Sequence, residues 1–96
     1  MSGRVHYVVA YDIGDDERRN DVSLFLSGYG PRVQLSVFEV ELASAEAAAE
    51  FRDRLRTLID PDDDQIRLYR LTPDILDQRL IFGNRTLEER VDFWIV

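Results

Sequence analysis

The chain has 96 residues, enough for one domain, and its 45% apolar content with ten aromatics places it among globular rather than disordered proteins. No cysteine is present and His6 is the sole histidine, which excludes disulfides, thiolate metal sites and multi-histidine sites within one chain. The net charge is −7 and all twelve basic residues are arginine; the acidity argues against indiscriminate nucleic-acid binding, while arginine suits bidentate phosphate contacts.

The opening MSGRVHYVVA holds one arginine and too short an apolar run for a signal peptide. No segment approaches the ~18 apolar residues that cross a bilayer, so a soluble, cytoplasmic protein with no membrane partner is expected. VHYVVAYDI, residues 5–13, is apolar on both faces over most of its length, as a central strand would be. Asp15 or Asp16 can then cap a helix whose face is Val22, Phe25, Leu26 and Tyr29, with Gly30 and Pro31 stopping it.

RVQLSVFEVEL, residues 32–42, alternates with a phase error. Val33, Leu35 and Val37 share one face, and Phe38, Val40 and Leu42 the other. A bulge, sharp bend or tight reversal near Ser36 to Phe38 is therefore expected, although no Gly or Asn marks a conventional turn. Ser44 can cap a second helix running to about Ile59, with Ala48, Phe51, Leu55, Leu58 and Ile59 inward.

DPDDD, residues 60–64, reads as a solvated acidic turn, because it lacks the spacing of a calcium loop. QIRLYRL, residues 65–71, is another strand, Pro73 breaks the chain, and residues 81–90 are ambiguous between strand and loop. The order β-α-β(β)-α-β predicts an α+β class, a ferredoxin-like βαββαβ sandwich with both helices on one face of the sheet. Residues 1–96 form one such domain, with 73–96 as a C-terminal extension that packs on or pairs with a second subunit.

Asp12 lies near the end of the first strand, on the face of Val8 and Ala10. A carboxylate there is a natural Mg²⁺ ligand, since Mg²⁺ takes only one or two protein carboxylates and keeps its waters. The alternative is an aspartate that caps the next turn. Asp15, Asp16 and Glu17 are better read as charges complementing a helix N-terminus. A two-fold axis near Asp12 would supply a second carboxylate without further sequence.

Arg18, Arg19 and Arg32 are open between phosphate contact and surface pairing. Arg52, Arg54 and Arg56, among Glu50 and Asp53, read as a solvated, salt-bridged face. Tyr11 and Phe38 fit a core or interface. The terminal Phe93, Trp94, Ile95 and Val96 would expose an apolar patch unless covered, and adding a strand to another subunit's sheet would cover it.

YDIGDDERR at the end of the first strand, then GYGPRVQLSVFEVEL and DQIRLYRL, resemble the small CRISPR-associated protein of the second Cas family. The likeness spans about residues 5 to 72. It implies a homodimer with an Asp12 pair facing each other across the two-fold axis, and a role in spacer acquisition beside CRISPR integrase subunits. It also implies Mg²⁺ held by Asp12 from both subunits, with Asp12 the catalytic carboxylate of an endonuclease acting on RNA or double-stranded DNA. Tyr11, Arg19, Arg32 and Phe38 would support the site or contact nucleic acid, and the terminal strand would pair with the other subunit. Two alternatives accompany this reading: a non-catalytic DNA-bridging adaptor, and a toxin-type ribonuclease of the same fold. The chain departs from the family at Asp21, where members often carry a basic residue, and in its acidity.

Overall fold

In the computed structural model, which describes residues 3–83, the first strand, β1 (Val5–Asp12), is the hub of a four-stranded sheet. It pairs antiparallel on one side with β3 (Val37–Leu42) and on the other with β4 (Gln65–Leu71). The three-residue β2 (Arg32–Gln34) flanks β3, giving the order β2-β3-β1-β4, in which, among the described residues, β4 is one edge and β2 the other. This is the expected ferredoxin-like α+β arrangement.

Alternation along β1 sorts its side chains. Val5, Tyr7, Val9 and Tyr11 are buried, whereas His6, Val8 and Ala10 are half-buried and Asp12 is exposed. The buried set meets Leu42, Val40 and Phe38 of β3 in register and is covered by two helices, α1 (Asp16–Ser27) and α2 (Ala45–Arg56). Val22 and Leu26 come from α1, and Ala48, Phe51 and Leu55 from α2. Phe51 is the centre of an aromatic cluster, with ring centroids 6.3 Å from Tyr7, 5.4 Å from Phe25 and 4.9 Å from Tyr29. Such pairs contribute about 0.5–1.5 kcal/mol each beyond their area burial. The strand is central as expected, but helices cover only one of its faces.

Local chemistry explains the element ends. The Asp15 carboxylate accepts from the Arg18 N–H at 2.9 Å and Ser44 Oγ from the Ala47 N–H at 3.0 Å, satisfying donors that a helix start leaves unpaired. Both helices stop short of the sequence estimate, α1 at Gly28 rather than Gly30 and α2 at Thr57 rather than Ile59. In each case the last turn tightens to i→i+3 bonds, from Gly28 N–H to Phe25 and from Thr57 N–H to Arg54. The phase error at Ser36 resolves as a two-residue reversal at Leu35–Ser36, with Gln34 opposite Val37 and a register shift back to Arg32 opposite Phe38. Leu35 is left exposed in the turn instead of sharing a face with Val33 and Val37.

After β4, a break was expected at Pro73, but a short helix, α3 (Pro73–Asp77), forms. Thr72 caps it and Pro73 occupies its first turn, where the missing N–H costs nothing. Arg79 then donates to Glu39 of β3 at 2.6 Å. Residues 81–83 are not strand. The expected additional C-terminal strand, with Phe93, Trp94, Ile95 and Val96, lies outside the described residues. No helix among the described residues is long and apolar enough to cross a membrane.

Candidate functional site at the end of the central strand

Asp12 is the last residue of β1, opposite Gln65 of β4, on the sheet face that carries no helix. It is exposed, and among the described residues its carboxylate has neither a hydrogen bond nor an ion pair. It therefore does not cap the following turn. That task falls to Asp15, while Asp16 pairs with Arg19, so the helix start claims both loop acids as expected. Among the described residues no three His, Cys, Asp or Glu side chains converge. At the end of β1, each chain offers Asp12 as a carboxylate without a partner among the described residues.

Two arginines hold the segment behind it. Arg19 donates from Nη1 to the Ile13 carbonyl at 2.9 Å, directly beside Asp12. Arg18 grips Asp64 with Nε at 2.7 Å and Nη2 at 3.2 Å. The Asp64 side chain is fully buried and also accepts from the Asp60 N–H at 2.9 Å, so the expected solvated acidic turn holds for the exposed Pro61, Asp62 and Asp63 but not for its last acid. An aspartate that stitches its own loop and accepts a guanidinium fork has no need of water. The hydrogen bond from Arg18, then the Asp60 N–H, hold the Asp64 carboxyl below the usual carboxylate range, against the opposing effect of burial.

The other residues singled out in the sequence lie on the helix side of the sheet. Tyr11 and Phe38 are buried and stacked at 6.3 Å, and Arg32 lies over the Phe38 ring at 5.4 Å while donating to Ser23 Oγ. Tyr11, Phe38 and Arg32 thus form one group, separated from Asp12 by the sheet itself. Arg52 and Arg54 of α2 do not make the expected salt-bridged face. Arg52 donates to the Tyr7 hydroxyl at 2.8 Å and Arg54 lies over the Phe25 ring, so both guanidinia engage aromatic residues of the core rather than pair with Glu50 or Asp53. A groove of about 280 Å³ between α2 and β4, lined by Arg52, Leu55, Arg56, Ile59, Ile66 and Leu68, is likewise on the helix side.

Beside Asp12, the sequence reading missed the outward row of β4, Gln65, Arg67 and Tyr69. Arg67 donates to Gln65 Oε1 at 3.0 Å and to the Tyr69 hydroxyl at 3.3 Å. The signal was the alternation in QIRLYRL, which puts Gln, Arg and Tyr on one face and Ile and Leu on the other.

The geometry defines a ferredoxin-like domain that presents one free carboxylate at the end of its central strand. The profile of the family described as CRISPR associated protein Cas2 matches residues 5–79. The chain is 48% identical over 79 residues to the CRISPR-associated endoribonuclease Cas2 3 of Chloroflexus aurantiacus, covering 79% of this chain and 81% of the relative. The crystal structure of Streptococcus pyogenes Cas2 at pH 6.5 superposes with a TM-score of 0.69 at 29% identity, over 81% of this chain and 99% of that one. A chain of a partial Cas6-RT-Cas1–Cas2 complex matches with a TM-score of 0.68 at 30% identity, over 80% of this chain and 89% of that one. The chain belongs to the Cas2 family of CRISPR-associated proteins.

Proposed function

We propose that the chain acts in CRISPR spacer acquisition as a homodimer, and that Asp12 from both subunits forms the centre of a Mg²⁺-dependent endonuclease. The observation that carries the reading is the Asp12 carboxylate, exposed and unpartnered on the open sheet face while every other acid of its motif except Glu17 is engaged. Two copies brought face to face would supply two carboxylates, a donor set that suits Mg²⁺ with its remaining waters. A bound divalent cation supplies polarisation of the phosphate and a water of lowered pKa. In hydrolysis the water oxygen joins phosphorus, the ester P–O bond breaks, and a proton goes to the leaving oxygen. The chain's own part is orientation: pairing on both sides fixes β1, and Arg19 on the Ile13 carbonyl fixes the segment that follows Asp12.

The C-terminal extension from residue 73 is read as packing on or pairing with the second subunit, and the place of work as the cytoplasm. A second reading, a bridge that holds integrase subunits and DNA without cutting, is supported by the relative found in a complex with Cas1.

The test is to assay wild type and Asp12→Asn side by side on single-stranded RNA and double-stranded DNA, with Mg²⁺ and with a chelator. Integration with the cognate integrase is measured in parallel. The nuclease reading expects metal-dependent cleavage that falls at least ~100-fold in Asp12→Asn with the dimer intact. Equal cleavage by both proteins overturns it, and undiminished integration by Asp12→Asn then supports the bridge.

A further inference from the structure

The β1–β4 ladder ends at Asp12, whose partner is Gln65, and the chain that follows Asp12 leaves both neighbouring strands. Asp64, the residue before Gln65, takes over at that point. Its carboxylate accepts the Arg18 fork from the first turn of α1 and the Asp60 N–H from its own loop. The Arg18 bond favours its charged form most and the Asp60 N–H next; the backbone N–H of Gly14, in the turn after Asp12, also contributes against the cost of burial. The Asp64 side chain has no exposed surface, while that of Arg18 is 32% exposed. The turn after β1, the start of α1 and the loop before β4 thus meet on one buried carboxylate. The contact lies on the helix side of the sheet, behind Asp12, so docking of a second copy on the open face leaves it in place.

We infer that Asp64 is a positioning residue for Asp12: it locks the turn after β1 to α1 and to the loop before β4, and so fixes where the Asp12 carboxylate stands. The inference rests on the nuclease reading for what Asp12 does and adds the group that holds it in place. A site made from two copies of one carboxylate is sensitive to such support, because an error in the turn is made in both chains at once. A misplacement of about 1 Å arising far from the chemistry costs ~100-fold in rate. Arg19 on the Ile13 carbonyl holds the same turn, but its side chain is 40% exposed and shared with the exposed Asp16. A buried carboxylate gripped by a guanidinium fork is the stiffer tie, since water does not compete for its bonds.

The test uses the full-length dimer as wild type, Asp64→Asn, Arg18→Gln and, as a core truncation remote from the turn, Leu55→Ala. Asp64→Asn keeps the shape and removes the charge that Arg18 meets. Arg18→Gln, at a partly exposed position, carries the measurement if Asp64→Asn does not fold. Amide hydrogen exchange is followed without metal or nucleic acid, at a temperature where the proteins compared are folded. Then kcat, KM for single-stranded RNA and double-stranded DNA, and half-saturation by Mg²⁺ are measured. In Asp64→Asn and Arg18→Gln the Gly14 amide should exchange about tenfold faster relative to that of Val9. Their kcat should fall about 10–100-fold and the Mg²⁺ half-saturation should rise, at unchanged KM for nucleic acid. Leu55→Ala, which weakens the fold from α2, should leave the exchange ratio and kcat within about twofold of wild type.

Unchanged exchange at Gly14 in both variants overturns the inference. So does a loss of kcat that Leu55→Ala shares, or failure of both variants to reach the folded dimer, since the pair would then serve stability alone. A raised KM at unchanged kcat also overturns it, because the group would then act on substrate binding. Failure of the nuclease reading is seen separately, as equal cleavage by wild type and Asp12→Asn. The exchange measurement involves neither metal nor substrate, and in that case it still decides whether Asp64 holds the turn.

Discussion

Gly30→Ala is expected to be among the most damaging single-methyl changes available to this chain. A Cβ built at Gly30 would sit 1.9 Å from the Glu39 carbonyl oxygen, 2.9 Å from its carbon and 2.9 Å from the Val40 Cα. Ordinary contact begins near 3.5 Å, so the backbones would have to separate by roughly 1.5 Å. All three obstructing atoms belong to the backbone of β3, and none can swing away. Separation would stretch the flanking hydrogen bonds from Glu39 N–H to the Pro31 carbonyl and from Glu41 N–H to the Tyr29 carbonyl, each 3.1 Å. Two such bonds at about 1 kcal/mol each, with an overpacking term of about 1–3 kcal/mol, give a destabilisation of about 3–5 kcal/mol. That is a large share of the ~5–15 kcal/mol typical of a whole domain. The cause is space rather than backbone conformation, for Gly83 is the only glycine with positive φ among the described residues. Urea unfolding followed by circular dichroism, at one fixed protein concentration because association shifts the midpoint, is the assay. A loss below 1 kcal/mol with an unchanged m-value would refute the reasoning.

Three further outcomes follow from the same packing. Asp64→Asn should flatten the acid limb of stability: the folded carboxyl titrates below its unfolded value, so its contribution is present above about pH 4 and disappears as the pH falls through the lower folded pKa. Thermal melts from pH 3 to 7 would show this as a shallower slope in the variant below pH 4. Phe51→Ala should cost about 3–5 kcal/mol in chemical unfolding, because the ring is 1% exposed and touches three other aromatics. Asp12→Asn, by contrast, should leave unfolding within about 0.5 kcal/mol of wild type, since its carboxylate supports nothing else among the described residues.

Much of this architecture could be read from residue type because the local signals agreed with the tertiary outcome. Apolar runs marked β1 and the inner faces of both helices, and Asp15 and Ser44 marked their starts. The reversal at Leu35–Ser36 was legible only as a conflict of phase, since neither residue carries turn chemistry and neither has positive φ. Asp64 was misread for a different reason. Its neighbours in sequence are acidic and exposed, whereas its partner Arg18 is 46 residues away, and composition carries no information about that pairing. At the candidate site, Asp12 stood out by its place on an apolar strand. The row of Gln65, Arg67 and Tyr69 did not, because its place beside Asp12 depends on β4 pairing with β1.

The two margins of the sheet are unlike. β2 offers three residues broken by a register shift, while β4 offers seven in regular register. A short border with a register shift is a poor template for an incoming strand, and a long one in regular register is a good template. Among the described residues strand addition therefore has a direction: β4 is the border suited to it, and the opposite border is a poor second seat from which growth could continue. A sheet with one receptive side tends to form closed, countable assemblies rather than fibres, and that limit is set by three residues far from any chemistry.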